Sequence, residues 1–267
     1  MRRRRLSTVA VIGTVTFAAL LPGTVTYAAA PVRPAVAQDD DDVTCEGPDP
    51  DESPGPAASG SSRRLPRGGG WAPAKWPTGI PNAGDARNML GQLIVADNKP
   101  PGYHRSKFRV SGSNDCWIRQ GDPCCTTRQI VLKEQSTIPV TLKGKCEVVK
   151  GNWTSEYDSR AFAGSPKGLD IDHIVPLKAA WDAGADTWDV AKRERFANDI
   201  SPGTPQLIAV SATSNRSKGD KRPDQWMPPD PLAACPYGEA WIAVKHKYDL
   251  TVTRAEGNAL ARTLDHC

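Results

Sequence analysis

Two stretches decide the fold. The first is Leu169-Asp170-Ile171-Asp172-His173-Ile174-Val175-Pro176. The second is Gln206-Leu207-Ile208-Ala209-Val210-Ser211, which runs straight into Ala212-Thr213-Ser214-Asn215-Arg216-Ser217-Lys218-Gly219. Each contains a short apolar run with β-branched residues, the composition of a strand. Pro176 ends the first strand. Ser211 closes the second and is a favourable N-cap, so a short helix is expected through Lys218, with Gly219 as its stop. Carboxylates on an otherwise apolar strand need partners, because burying a lone charge is costly. Asn215 and Lys218 lie three apart and share a helix face. Asn offers an oxygen to a hard cation, and Lys offers a point charge to a phosphate.

Outward from this centre, Ala86 to Ala96 carries an apolar stripe at Met89, Leu90, Leu93 and Ile94, and reads as a helix. Thr126 to Leu132 starts another, with a threonine as N-cap. Pro139 to Leu142 and Cys146 to Val149 flank Lys143-Gly144-Lys145 and read as a β-hairpin. Lys178 to Trp181 and Trp188 to Phe196 read as helices inside the long excursion between the two central strands. At the C-terminus, helices from Gly238 to Tyr248 and from Thr253 form a helical hairpin, the second opening on the capping box Thr253-x-x-Glu256. An antiparallel pair sets the start of one helix beside the end of the other, which pairs Cys235 with Cys267.

The chain has 267 residues, enough for one sizeable core. Residues 1–37 read as a signal peptide: Arg2 to Arg5, an apolar run from Val9 to Leu21, and Ala35-Val36-Ala37 as the cleavage site. The apolar run is short for a membrane span, so secretion without lasting membrane association is expected. Residues 38–80 read as a disordered linker, acidic at Asp39 to Asp42 and then rich in Pro and Gly. Residues 81–267 form the folded domain. The net charge of +4 conceals this division: beyond residue 62 there are 29 basic against 22 acidic side chains, a net of +7. That balance favours a polyanionic partner. Seven cysteines in an exported chain are disulfide candidates, and no C-x-x-C pair suggests zinc.

Taken in order, Asp172-His173-Ile174-Val175-Pro176 and Asn215-Arg216-Ser217-Lys218-Gly219-Asp220 resemble the HNH, or ββα-metal, nuclease superfamily. The likeness is greatest to secreted bacterial HNH proteins related to the C-terminal domain of GmrSD-type restriction endonucleases. It runs from about Asp85 to Cys267 and takes in Gly102-Tyr103-His104-Arg105, Cys125-Thr126-Thr127-Arg128, Gly151-Asn152-Trp153 and Phe196-Ala197-Asn198-Asp199. It implies an α+β fold: a ββα-metal (HNH) core with surrounding helices, a β-hairpin, a C-terminal helical hairpin and disulfides.

The resemblance further implies a metal-dependent endonuclease that hydrolyses phosphodiester bonds, of DNA rather than RNA, acting as a monomer outside the cell. Asp172 and Asn215 would hold a divalent cation, Mg²⁺ or else Mn²⁺, and His173 would be the general base. Lys218, Arg216 and Arg128 would hold the nucleic acid. The superfamily's middle Asn, which orients the base, is replaced by Gln206; Asn198 is the alternative. A salt bridge to Asp122 or Glu134 is the competing role for Arg128. The family match pairs Cys125 with Cys146; Cys116 and Cys124 are then expected to pair locally, leaving Cys45 free. Lys192, Arg193 and Arg195 on the excursion are expected to flank the groove as a lid, or else to form a solvated helix face. Trp153 and Tyr157 are read as base-stacking or core residues. The rival reading is an extracellular nucleic-acid-binding or adhesion protein on a nuclease fold with little activity.

Overall fold

A computed structural model of the chain describes residues 75–109, 117–121 and 123–267. The stretches expected to be the signal peptide and most of the linker, with Cys45, Cys116 and Asp122, lie outside the described residues. In chain order the elements are α1 (Ala83–Gln92), β1 (Arg119–Gln120), β2 (Cys125–Thr126), α2 (Thr127–Gln135), β3 (Thr141–Lys143), β4 (Glu147–Thr154), β5 (Ala161–Gly164) and β6 (Leu169–His173). They continue with α3 (Leu177–Asp182), α4 (Val190–Ala197), β7 (Leu207–Ser211), α5 (Ala212–Lys218), α6 (Ala234–Lys247) and α7 (Arg254–Leu264). The strands make three small antiparallel sheets, β1-β2, β3-β4-β5 and β6-β7, so the class is α+β.

Side-chain caps set most helix starts. Asn82, Thr126, Asp189, Ser211 and Thr253 each accept a backbone N–H from the first turn that follows. These bonds satisfy donors that the helix itself leaves unpaired. The Thr253–Glu256 capping box is reciprocal, as its spacing demands. Gly219 ends α5 at φ +51°, a conformation costly for a side chain with a Cβ.

The β6–β7 hairpin is buried on both faces. Leu169, Ile171, Leu207 and Ala209 meet Val131 and Leu132 of α2 and Val148 and Trp153 of β4 in one core. Ile208 and Val210 join a larger core with Trp181, Phe196, Tyr237, Trp241 and Leu260. Gln135 covers the outer edge of β7, donating to the Leu207 carbonyl at 3.0 Å and accepting from Ala209 N at 2.7 Å. That occupies backbone groups an open strand edge would leave exposed.

The excursion between β6 and β7 is a buttress rather than a lid. Ala179, Ala180, Trp181, Phe196 and Ala197 are core. Arg193 donates to the carbonyls of Lys107, Ala185 and Trp188, and Lys192 sits over the Trp188 ring. Trp153 and Tyr157 are likewise core. Residues 75–80, placed by composition in the linker, pack on the domain: Trp76 and Ile80 lie on the larger core, and Trp76 meets the Tyr157 ring at 6.5 Å.

Disulfides join Cys125 to Cys146 and Cys235 to Cys267, the two expected pairs. Cys124 is an exposed free thiol among the described residues, and Cys116, its expected partner, lies outside them. Cys125, next to Cys124, is bonded across to the β3–β4 hairpin. Between α6 and α7, Lys245 and Glu256 form a fully buried ion pair at 2.6 Å, and the Trp241 indole donates to the same Glu256 oxygen.

The β4–β5 connection, residues 155–160, carries a second buried carboxyl. Glu156 is 6% exposed and its Oε1 has no hydrogen-bond partner. Burial pushes its pKa up to about 8; the Lys75 backbone N–H opposes the shift and the Asp230 charge adds to it. The folded value lies above the ordinary 4.5, so the folded protein keeps a proton that the unfolded chain releases. Stability from this group therefore falls as pH rises between those two values. Relative to wild type, Glu156→Gln should gain stability in urea unfolding between about pH 4 and about pH 8.5. A difference that does not change with pH would show that Glu156 is ionised in the fold.

Candidate active site

On β6 the period of two puts Asp170 and Asp172 on one face. On α5 the helical period puts Asn215 and Lys218 on one face. The two faces meet rung to rung. Asn215 Nδ2 donates to Asp170 Oδ2 at 3.1 Å. Lys218 Nζ donates to Asp172 Oδ1 at 3.0 Å, with Oδ2 at 2.9 Å, and to the His173 carbonyl at 2.8 Å.

The lysine of the inner rung is sealed. Lys218 is 0% exposed, and burial pulls its pKa below the usual lysine range against the attraction of Asp172. Tyr157 Oη donates to Asp172 Oδ2 at 2.7 Å, and burial, with the Asp172 charge next, lifts the phenol well above its usual range. The same connection anchors α5: Asp158 Oδ2 accepts from Ser211 Oγ at 2.6 Å and Ser214 Oγ at 2.9 Å.

His173 projects to the other face of β6. Its ring donates from Nε2 to the Ala197 carbonyl at 2.8 Å. A carbonyl only accepts, so the proton sits on Nε2 and Nδ1 keeps the lone pair. Burial, with the Arg105 charge next, holds the His173 pKa down to about 3, so the imidazole is neutral at physiological pH. Trp117 stacks on it, centroids 5.5 Å apart and planes 14° from parallel. Ala197 is the last residue of α4, where carbonyls lack helical partners.

A cleft opens beside this ring, lined by Arg105, Trp117, Arg128, Ile171, Asp172, His173 and Asn215. Four of the sequence-derived site residues thus come together: His173, Asp172, Asn215 and Arg128. Arg128 also donates to the Leu169 carbonyl at 3.2 Å. Arg216 is exposed, and its charge reaches Asp170. Lys218 does not reach the cleft, so it cannot touch a phosphate there. Gln206 is fully buried and does not orient His173: its amide accepts from Val175 N at 3.2 Å and donates to Val175 O at 3.0 Å. Asn198 serves elsewhere too, accepting from Ile118 N and Thr127 Oγ. The Ala197 carbonyl supplies the hydrogen bond expected of those amides. Sequence reasoning passed over Arg105 and Trp117 as site residues, because nothing local ties either to His173.

The cleft suits a hard divalent cation in its donor chemistry. Its lining includes the Asp172 carboxylate and the Asn215 side-chain amide, both of which carry oxygen. Mg²⁺ is commonly held through one or two protein oxygens and keeps several waters. Among the described residues, no cluster of three or more His, Cys, Asp or Glu forms a metal site of its own.

Comparison with known proteins bears on this site. A model of the C-terminal domain of GmrSD restriction endonucleases matches residues 131–263, a span that holds β6, β7, α5 and both C-terminal helices. An uncharacterized secreted protein of Arthroderma benhamiae is 41% identical over 197 residues, covering 73% of this chain and 91% of that one. No solved structure matches.

Lys218→Met tests the sealed rung. Removing one partner of a buried ion pair leaves the other uncompensated, which typically costs about 3–5 kcal/mol. Urea unfolding should show a loss of that order. A variant as stable as wild type would show that Asp172 does not depend on Lys218.

Proposed function

We propose that this chain, which belongs to the family of GmrSD restriction endonuclease C-terminal domains, is a secreted nuclease. It would cut phosphodiester bonds of nucleic acid, DNA in preference to RNA, as a monomer outside the cell. The observation that carries this reading is geometric: His173, its Nε2–H donated to the Ala197 carbonyl, lies beside two oxygen-bearing side chains and two arginines in one cleft. The antiparallel β6–β7 pair with α5 would be the ββα-metal core of the HNH nucleases. Similarity to a relative described as a secreted protein supports export. Among the described residues no helix is long and apolar enough to cross a membrane.

In this mechanism His173 Nδ1 takes the proton of the attacking water, and the Ala197 carbonyl steadies the imidazolium that results. A neutral imidazole is the protonation state a base requires. Trp117 holds the ring plane. Asp172 and Asn215 would hold Mg²⁺ or Mn²⁺, which supplies positive charge at the scissile phosphate and the leaving 3′ oxygen. Arg128 would hold the phosphate, joined by Arg105, with Arg216 reaching the backbone beyond the cleft. Lys218 contributes through Asp172, and Gln206 through the backbone of Val175, two residues past the base.

Digestion of supercoiled DNA and of RNA, with Mg²⁺, with Mn²⁺ and with chelator, tests the reading. His173→Ala should stay folded and lose about 10²–10⁴-fold in rate, the usual worth of a general base. Arg128→Ala should weaken nucleic-acid binding and reduce the slope of log affinity against log salt by about one contact's worth, 0.7–0.9. A folded His173→Ala protein that cuts at the wild-type rate would exclude the mechanism. A wild-type protein that binds nucleic acid but cuts none would make it a binding protein on a nuclease fold.

A further inference from the structure

We propose that Asp170 is a positioning residue for Asn215, setting which end of the side-chain amide faces the cleft. An asparagine amide has two ends of opposite character, and only the oxygen can ligate a cation. The two ends are nearly the same size, so packing alone does not choose between them. A carboxylate acceptor does choose. Asp170 Oδ2 accepts from Asn215 Nδ2 at 3.1 Å, so the nitrogen points toward β6. That leaves Oδ1 as the end available to the cleft, whose lining includes Asn215 and Asp172.

The placement follows from the two periodicities. Asp170 stands two residues before Asp172 on the same strand face, opposite Val210, while Asp172 stands opposite Ile208. Asn215 stands three residues before Lys218 on α5. Once Asp172 takes Lys218, the register leaves Asp170 for Asn215. The two rungs differ in exposure: the inner lysine is sealed and only Asp172 of that rung lines the cleft, whereas Asp170 and Asn215 are part-buried. Groups that orient a metal ligand in this way typically contribute about 10–100-fold in metal affinity or activity.

This inference rests on the reading of Asn215 as an oxygen ligand. Its test is Mn²⁺ binding by the full-length protein and two variants, followed by calorimetric titration, with thermal unfolding as a control. Asp170→Ala removes the acceptor, frees the amide to turn and should weaken Mn²⁺ binding by about 10–100-fold. Asp170→Asn has an amide that can donate as well as accept, so it leaves the choice of end open and should weaken Mn²⁺ binding by a smaller factor than Asp170→Ala. In nuclease assays the Asp170→Ala defect should shrink as Mn²⁺ is raised, with the rate at saturation restored. Wild-type Mn²⁺ affinity in Asp170→Ala would overturn the proposal. So would equal losses in the two variants, which would make the Asp170 charge itself the metal contact. If Asp170→Ala does not fold, the isosteric Asp170→Asn decides alone: weakened Mn²⁺ affinity supports the role and wild-type affinity refutes it. A wild-type protein that binds no Mn²⁺ would instead remove the ligand reading of Asn215, and this inference with it.

Discussion

The buried contact between Asp172 and Lys218 is the constraint on which the rest of the site depends. Two charges leave water there, and their mutual attraction alone does not recover the cost. The remaining valences are therefore filled: Tyr157 donates to the carboxylate, and the ammonium also donates to the His173 carbonyl. The cluster joins β6, α5 and the β4–β5 connection at one point. It sets how far along the hairpin α5 lies and thereby places Asn215 beside Asp170 and at the edge of the cleft. A pair of apolar residues could hold the same elements together. It would not leave a carboxylate lining the cleft beside His173.

The second half of the site is built by a helix end. The excursion after β6 is long because it must leave the hairpin, pack Trp181 and Phe196 into the larger core, and return. Its return brings the C-terminal carbonyls of α4 over the hairpin. The Ala197 carbonyl lacks an intrahelical partner, and the His173 ring supplies one. One hydrogen bond thus satisfies a helix terminus and selects a tautomer. Trp117 covers one face of the ring, from a segment more than fifty residues upstream. The base is held by groups far apart in the chain, which is why so little of its support is local in sequence.

The C-terminal helices serve the larger core from the far side. Glu256 has two roles: it completes the capping box of α7, and it pairs with Lys245 of α6. The Cys235–Cys267 bond ties the start of α6 to the last residue of the chain. Together they keep the two helices from separating at either end, behind a hairpin that is itself only two strands wide. Two strands are not stable alone and need packing on both faces, which α2 with β4 and the helical core provide.

The amino-acid sequence by itself determined the elements whose signals are local. The strand at Leu169, the strand at Leu207, the Ser211 cap, the stop at Gly219 and the Thr253 capping box all depend on residues within a few positions of one another. The Cys235–Cys267 pair was legible because two helices joined by a short turn must run antiparallel. Asp172, His173, Asn215 and Arg128 were legible as a set through the order of their motifs. Only the tertiary structure decided who bonds to whom. Periodicity puts Lys218 and Asn215 on one helix face but does not say which of them is sealed and which reaches the cleft. That depends on where α5 crosses the hairpin, a matter of long-range packing. For the same reason Gln206, an amide in the right place along the chain, bonds to Val175, and a backbone carbonyl of α4 takes the histidine. Hydrogen-bonding partners are chosen by distance in space, and the spacing of residues along a strand or helix carries that information only for neighbours on the same element.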